Sequence, residues 1–511
     1  MTTSAENNKT IAKNTLLLYF RMMLTMIVSL YTSRIVMKAL GVEDFGIYNV
    51  VGGVVAMFNV LSGSLSSAIS RFITFELGKN NKEKLKKVFS SSVTIQFILA
   101  VLIVIVAEFV GVWFINEKMN IATERLSAAN WVFHFSILTF VFNLISVPYN
   151  AVIVAHERMS AFAYISIIEV LGKLSIAYFI NISPIDRLVF YAILMWFVAV
   201  IIRFVYIFYC KRNFEECNYH FTWDKQLIRQ MFSFAGWNFI GSSSAILRDQ
   251  GSNIILNLFF GTTINAARGI AYQVYSAIYS FITNFMTAIN PQITKSYAIA
   301  DYTYMMKLIY KGSSFASYLL FALSLPVLIN ADYLLHLWLD VVPEYTVLFV
   351  RLILIFALSE SISGPLITAQ LATGNIRNYQ LLVGGLQMLN LPLSFIVLNY
   401  GGGPELVFVI AIIISQLCLA CRLFMLRRMI NLSVSMFFRK VYTNILLVFF
   451  IASILPVGLS LFLEEKLLNF LILTSVSVVS SSLTILYVGC SNTERLYLIE
   501  KIRKMTNKIC L

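Results

Sequence analysis

Seven basic side chains lie inside stretches of this sequence that are otherwise apolar enough to cross a membrane. A charge in hydrocarbon costs about 2.5–3.5 kcal/mol on insertion scales, so such a residue normally faces protein or a water-filled cavity. Cationic groups in a cavity of low dielectric attract anions, and phosphates in particular. The first candidates for a binding site are therefore Arg21, Arg34, Lys173, Arg203, Arg248, Arg268 and Arg351.

Depth within the apolar stretches divides this set. Arg34, Arg203, Arg268 and Arg351 lie a few residues from a predicted span end, where a long side chain can reach the interface. Packing or topology is the simpler role for these four. The residues that lie deeper, with acidic residues at comparable depth, are Arg21, Lys173, Arg248, Glu169, Asp249 and Glu360.

Two of the deep basic residues have an acidic neighbour in the sequence. Glu169 and Lys173 are four residues apart, so on a helix they share a face and can neutralise each other. Asp249 directly follows Arg248 in a stretch too polar to face lipid, which predicts a cavity lining or a tightly paired interface, with Gly251 as a local break. The polar residues of that stretch are Ser242, Ser243, Ser244, Arg248, Asp249, Gln250, Ser252, Asn253 and Asn257.

Three tyrosines follow at helical spacing. Tyr272, Tyr275 and Tyr279 would lie on one helix face, where their rings could stack on sugars or pack between helices with their hydroxyls bonded. The sequence leaves both roles open.

The composition indicates what kind of element positions these residues. Hydrophobic residues make up 59% of the 511, charged residues 13%, and the mean hydropathy is +0.79, so the chain is predicted to be an all-α polytopic membrane protein. The net charge of +14 does not indicate nucleic acid, because most basic residues flank apolar spans and there meet anionic headgroups. About fourteen spans are predicted, at 13–37, 46–69, 89–114, 128–153, 161–182, 188–209, 232–258, 264–289, 313–330, 347–369, 380–399, 405–424, 443–463 and 467–488.

Lysine and arginine are strongly enriched in the loops on the side of both termini, which predicts that both termini are cytoplasmic. Two of these segments, 71–88 and 422–442, are basic and partly apolar, and anchoring on anionic headgroups is predicted for them. Weak similarity between the halves predicts parallel repeats. The predicted domains are 1–210 with spans one to six, 211–430 with spans seven to twelve, and 431–511 with the last two spans and a basic cytoplasmic tail.

Motifs for enzymatic chemistry are missing from the sequence. There is no phosphate-binding loop, the four histidines show no metal spacing, and no nucleophile with a base stands out. The six cysteines are expected to be reduced, and Cys418 and Cys421 have no further ligands for a metal. We therefore expect a transporter without a cofactor rather than an enzyme.

Two stretches resemble the O-antigen and polysaccharide flippases of the multidrug/oligosaccharidyl-lipid/polysaccharide (MOP) exporter superfamily. The resemblance covers nearly the whole chain and is silent on the sugar. The first stretch is Leu40-Gly41-Val42-Glu43-Asp44-Phe45-Gly46-Ile47-Tyr48. The second is Asn257-Leu258-Phe259-Phe260-Gly261, followed by Asn265-Ala266-Ala267-Arg268-Gly269-Ile270-Ala271 and Asn290-Pro291-Gln292-Ile293-Thr294-Lys295-Ser296-Tyr297.

This resemblance implies a MATE-like fold, with two six-helix lobes and two C-terminal helices, in the bacterial inner membrane. It implies translocation of an undecaprenyl-diphosphate-linked oligosaccharide by alternating access through a cationic central cavity. Coupling to protons, sodium or the membrane potential is expected, with a polysaccharide polymerase and a chain-length regulator as partners. In the related lipid II flippases the last two helices form a groove for the lipid tail, and the last two spans here could do the same.

Physical chemistry and resemblance together give the site residues their expected roles. Arg248 is predicted to bind the diphosphate, with help from Arg21, Lys173, Arg34 and Arg268. Asp249 would orient Arg248 or carry a coupling proton. The other predicted cavity residues are Asn253 and Tyr272, and the other charge partners are Glu169 and Glu360.

Three alternatives remain open from the sequence. A lipid II flippase and a drug/cation antiporter belong to the same superfamily, although the antiporters typically have twelve spans and acidic cavities. A membrane glycosyltransferase or polymerase would be expected to have large external loops, and the external segments 115–127 and 331–346 are short.

Overall fold

The protein is described by a computed structural model. The described residues are 4–41, 44–45, 47–48, 51–52, 55, 58–117, 119, 121–339, 342–463, 466–492 and 494–496. The predicted basic tail beyond residue 496 and part of the predicted second span lie outside them.

All regular elements of the described residues are helices, which confirms the predicted fold class. From the start of the chain to residue 260 the α-helices are α1 Ser4–Leu40, α2 Asn59–Gly78, α3 Lys82–Val106, α4 Val112–Glu117, α5 Leu126–Ala155, α6 Met159–Phe179, α7 Arg187–Asn213 and α8 Lys225–Phe260. The remaining α-helices are α9 Thr262–Ala298, α10 Tyr302–Ile329, α11 Ala331–Trp338, α12 Thr346–Ser361, α13 Gly364–Thr373, α14 Arg377–Met388, α15 Asn390–Asn399, α16 Leu406–Ile430, α17 Val434–Phe437, α18 Thr443–Ser460 and α19 Leu467–Thr484.

The chain forms two compact units. The first comprises Met1–Ser242 and Asn290–Asp301, and the second comprises Ser243–Ile289 and Tyr302–Leu511. The unit boundaries fall inside the long helices α8 and α9. Compact units and sequence repeats are different definitions, so the predicted domain limits at 210 and 430 stay a prediction.

Ten helical segments of the described residues are long and apolar enough to cross a membrane, and the bent pair α12–α13 would make eleven. The protein is therefore a multi-pass membrane protein. Helices α8 and α9, predicted as the seventh and eighth spans, have 36 and 37 residues and are long enough to cross but fall outside this set. Their polar residues exclude them, and those residues include the candidate site.

Gly251 does not break α8, which contradicts the sequence-based expectation. The helix is continuous from Lys225 to Phe260. A Cβ at Gly251 would lie 2.2 Å from Cδ2 of Leu391. Gly251 therefore allows α8 to approach α15 closely instead of interrupting the helix.

A real break occurs between α12 and α13. The two helices meet at an angle of 42°. Pro365 occupies the first turn of α13, where its missing N–H costs no hydrogen bond. This bend lies directly after Glu360 and so sets the position of that carboxylate.

In the first unit, Arg125 connects two loops and a helix start. Its Nε donates to Oδ1 of Asp44 at 2.8 Å, and Nη1 donates to Oδ2 of Asp186 at 2.6 Å. Asp186 caps α7 by accepting from the backbone N–H groups of Leu188 and Val189. Burial acts to raise the pKa of Asp186, but the bonds from Arg125 and the two amides outweigh it and hold that pKa below its usual value. Asp44, from the motif that resembles the flippases, is thereby tied to the start of α7.

We expect Arg125→Ala to lower the free energy of unfolding by about 1 kcal/mol, the upper end for partly exposed pairs. Arg125→Lys should recover only part of the lost stability, because lysine lacks the planar guanidinium group whose several N–H donors bond two carboxylates. A carboxyl group whose pKa is lower in the folded state stabilises the fold at pH values above its unfolded-state pKa. This stabilisation is lost as the pH falls through the folded-state pKa. The unfolding temperatures of the purified original and Arg125→Ala proteins should therefore differ at pH 7, and the difference should become smaller below about pH 4. Equal unfolding temperatures at pH 7 would contradict this role.

Candidate anion-binding site

Arg248 is held in the second unit by its neighbour on α8. Its Nε donates to Oδ1 of Asp249 at 2.9 Å, and its guanidinium lies over the ring of Phe356 at 5.1 Å. The Arg248 side chain is 12% exposed, and that of Asp249 is 34% exposed. The arginine is thus nearly enclosed, while its carboxylate partner remains accessible.

Arg268 joins the same cluster from α9. It donates from Nη2 to the backbone carbonyl of Asp249 at 2.7 Å, and its guanidinium lies 4.7 Å from the ring centre of Tyr272. The residue is buried at 8% exposure. Arg268 therefore packs inside the protein instead of extending to the interface, with the carbonyl of Asp249 and the ring of Tyr272 as its partners.

Glu360 lies in the last turn of α12, next to two arginines. Its carboxylate interacts electrostatically with Arg248 and with Arg422. Its Oε1 atom is buried and has no hydrogen-bond partner among the described residues. A buried carboxylate oxygen without a partner is costly, so Glu360 is a natural acceptor for a donor group of a ligand.

Arg422 was missed as a site residue. The sequence predicts headgroup anchoring for 422–442, but Arg422 is only 1% exposed. Its Nη1 donates to Oγ of Ser363 at 2.8 Å, and its Nε donates to the hydroxyl of Tyr379 at 3.4 Å. Both acceptors are neutral, so neither bond cancels its positive charge. The only sequence signal was its position at the C-terminal part of an apolar run, which is also typical of interfacial residues.

The three tyrosines of α9 form a ladder of contacts. The rings of Tyr272 and Tyr275 lie 5.4 Å apart, and those of Tyr275 and Tyr279 stack at 5.1 Å. Tyr279 interacts electrostatically with Glu360, Arg422 and Arg248. The predicted common face is confirmed, and it borders the charged cluster.

Asn253 lies on α8 four residues beyond Asp249 and is partly exposed. The adjacent Ser252 donates to the carbonyl of Arg248 at 2.6 Å and has Oδ1 of Asn390 at 3.3 Å. The polar face of α8 is thus partly used in a bonded interface with α15. This agrees with the paired interface that was one of two expectations for the stretch.

The first unit holds a second charged group. Nζ of Lys173 lies 2.6 Å from Oε1 of Glu169, which confirms their predicted pairing. Arg21 of α1 has Nη1 3.4 Å from Oγ of Ser166 and lies 4.7 Å from the ring centre of Phe162. Glu169 also interacts electrostatically with Arg21. Two cations and one carboxylate therefore lie together within this unit.

The other candidates differ in environment. The side chain of Arg34 lies outside what the structure describes. Arg203 is 7% exposed and donates to the carbonyl of Ile145 at 2.6 Å, so it packs inside the protein and does not extend to the interface. Arg351 is exposed and donates to the carbonyl of Leu328 at 3.2 Å.

The cluster in the second unit is suited to anion binding. Three guanidinium groups, from Arg248, Arg268 and Arg422, lie with only two carboxylates, from Asp249 and Glu360. Within the described ranges, no group of three or more His, Cys, Asp or Glu residues is arranged to hold a metal ion.

Comparison with known proteins identifies the family. The family model described as polysaccharide biosynthesis protein matches residues 11–297, more than half of the chain. No curated protein matches the sequence of this chain.

Solved structures match over most of the chain at low sequence identity. A MATE transporter in the bent conformation has a TM-score of 0.73 and 13% identity, covering 84% of this chain and 98% of its own. An outward-facing multidrug resistance MATE family transporter of the MOP superfamily has a TM-score of 0.70 and 15% identity, with coverages of 83% and 96%. A MOP superfamily transporter from Pyrococcus furiosus, for which reverse polarity of the binding pocket suggests a different function, has a TM-score of 0.71 and 13% identity, also with coverages of 83% and 96%.

At these identities the structural matches establish the fold alone, which is that of the MATE transporters of the MOP superfamily. Because the family model matches residues 11–297, the chain belongs to the polysaccharide biosynthesis protein family.

Proposed function

We propose that this protein moves an undecaprenyl-diphosphate-linked oligosaccharide across the bacterial inner membrane, with both of its termini in the cytoplasm. Membership of the polysaccharide biosynthesis family and the MOP transporter fold support transport of a polysaccharide precursor. A polymerase and a chain-length regulator are the expected partners that use the translocated unit.

The observation that carries the proposal is the enclosed cluster around Arg248. A diphosphate has charged oxygens on two adjacent phosphorus atoms, and guanidinium groups bond such oxygens in pairs. Arg248 and Arg268 lie on consecutive helices and meet at Asp249. Tyr272 and Tyr275 lie beside them and offer ring faces to the first sugar.

The polarity of the cluster supports this function over drug and cation exchange. Arginines outnumber carboxylates in it, whereas exchange of cations calls for an acidic cavity. The reverse pocket polarity of the Pyrococcus transporter suggests a different function for that protein, and the same reasoning applies to this chain.

Charge balance connects binding to protons. The cluster's three cations and two carboxylates leave a net charge of about +1, which is too little for a dianion. Protonation of Glu360, whose buried Oε1 lacks a hydrogen-bond partner, would raise the net charge to match the diphosphate. Deprotonation on the opposite side of the membrane would then favour release. A proton is thus the coupling ion of this proposal.

We expect Arg248→Ala to lower the rate of lipid-linked oligosaccharide translocation in proteoliposomes at least about thirtyfold, since losing a buried, bonded charge costs 2 kcal/mol or more. Arg248→Lys should retain an intermediate rate, because the charge remains while the forked geometry is lost. In cells, Arg248→Ala should abolish surface polysaccharide while the protein stays in the membrane.

Arg351→Ala is the matched control. It removes the same charge from the same unit, at an exposed residue away from the cluster. We expect translocation within about twofold of the original protein. Normal translocation by the Arg248→Ala protein, or an equal loss in the control, would reject the assignment.

Glu360→Gln tests the coupling. Glutamine has the same shape as the carboxyl group but no charge, so the cluster should keep a net charge of about +2 and bind substrate at least as tightly as the original protein does. Net translocation driven by a proton gradient should fall, because this position can no longer take up and release a proton. Asp332→Asn, at a partly exposed carboxylate on α11, is the control and should preserve gradient-driven translocation. Gradient-driven translocation at the original rate in the Glu360→Gln protein would sink the proton-coupling proposal.

A further inference from the structure

A cavity in the second unit is lined by residues that do not belong to the arginine cluster. Its volume is about 710 Å³, within the range of small-molecule sites. It is formed where the first turns of α10 meet the start of α18 and the segment that follows α19. Its lining includes Lys307, Lys311, Phe315, Leu447 and Gly489.

Two π-helical turns form part of its wall. The segment Phe438–Tyr442 precedes α18, and the segment Ile485–Gly489 follows α19. Arg439 and Lys440 from the first turn, and Gly489 from the second, line the cavity. Turns of this kind are rare and occur frequently at functional sites. Their convergence on one cavity is an indication of binding that is independent of charge.

The cavity has a basic entrance. Lys307, Lys311, Arg439 and Lys440 all line it. Lys311 is neutralised by Glu494, with Nζ and Oε1 2.6 Å apart. The other three have no ion pair within the described part of the chain. The cavity therefore holds about three uncompensated positive charges.

Glu494 is fixed in place as the partner of Lys311. It also accepts from the backbone N–H of Ser491 at 2.8 Å and from its Oγ at 2.6 Å. Burial acts to raise the pKa of Glu494, but the bonds from Lys311 and Ser491 outweigh it and hold that pKa below its usual value. Glu494 stays ionised at neutral pH and does not compete for the remaining basic side chains.

The rest of the wall combines apolar side chains with small polar ones. Phe315 and Leu447 contribute apolar side chains to it. A Cβ at Gly489 would lie 3.0 Å from the ring of Tyr318, so glycine allows the turn after α19 to approach α10. On the α18 side, Phe437 packs against Tyr310 with ring centres 5.9 Å apart. Basic side chains next to apolar ones in the same cavity fit an amphiphile better than a soluble anion.

We propose that this cavity binds the phosphate headgroup of an anionic membrane phospholipid, with Arg439, Lys440 and Lys307 as its cationic ligands. The phosphate would lie against the basic side chains, and the first methylenes of the acyl chains would contact Phe315 and Leu447. This site is separate from the Arg248 cluster and does not depend on the proposed translocation.

The test is native mass spectrometry of the full-length protein in detergent, titrated with phosphatidylglycerol or with phosphatidylcholine. We expect the protein to bind phosphatidylglycerol more tightly. The double variant R439A/K440A should weaken phosphatidylglycerol binding about thirtyfold, since each basic residue near a headgroup contributes about 1 kcal/mol and 1.4 kcal/mol is tenfold.

The matched control is K211A/R212A, which removes an adjacent exposed lysine and arginine at the end of α7, outside the cavity lining. Its phosphatidylglycerol affinity should stay within about threefold of the original. Equal weakening in both double variants would show diffuse attraction to basic surface and overturn the proposal, as would no weakening in R439A/K440A.

Two further measurements keep the result interpretable. If R439A/K440A does not fold, Lys307→Gln replaces it. This variant should weaken phosphatidylglycerol binding about fivefold. Unchanged binding in the Lys307→Gln protein would overturn the proposal. Inorganic phosphate should not displace the lipid at millimolar concentration. Displacement by phosphate at the affinity of the lipid would assign the cavity to a free anion and also overturn the proposal.

Discussion

An arginine enclosed within a membrane protein must place its N–H donors on acceptors from the protein, because lipid provides none. Four arginines of this chain meet that requirement in different ways. Arg203 bonds a backbone carbonyl, Arg268 bonds another, Arg422 bonds two hydroxyl groups, and Arg248 bonds a carboxylate. Only the last of these bonds opposes the charge of the cation. Positive charge therefore persists inside the protein even though the donors are bonded.

In the second unit, the positions of several helices provide acceptors for the buried arginines. Arg248 and Arg268 lie on consecutive helices that meet through Asp249, so the carbonyl of one helix serves the guanidinium of the next. The bend between α12 and α13 follows Glu360 and presents Ser363 to Arg422. On the long polar helices α8 and α9, Arg248, Ser252 and Arg268 have hydrogen-bond partners in the same unit. The outcome is a cluster with more cations than anions, bordered by tyrosine rings.

Local sequence patterns predicted part of this arrangement. The spacing of Glu169 and Lys173 fixes their pairing on any helix, and the adjacent Arg248 and Asp249 lie in a stretch too polar for lipid. The helical class followed from continuous apolar runs. Burial of Arg268 and Arg422 depends on acceptors far away in sequence, at Asp249, Ser363 and Tyr379. Neither periodicity nor composition contains that information, and an arginine near the end of an apolar run has the same local pattern whether it is buried or interfacial. Gly251 was misjudged for the same reason, since its role depends on Leu391.

The most direct measurement uses a photoreactive undecaprenyl diphosphate, with the reactive group next to the phosphates, bound to the full-length protein in proteoliposomes and mapped after illumination. The account predicts cross-links to α8 and α9 near Arg248 and Tyr272, suppressed by excess unlabelled undecaprenyl diphosphate. Specific cross-links confined to other helices, with none on these two, would contradict the claim that this cluster binds the diphosphate.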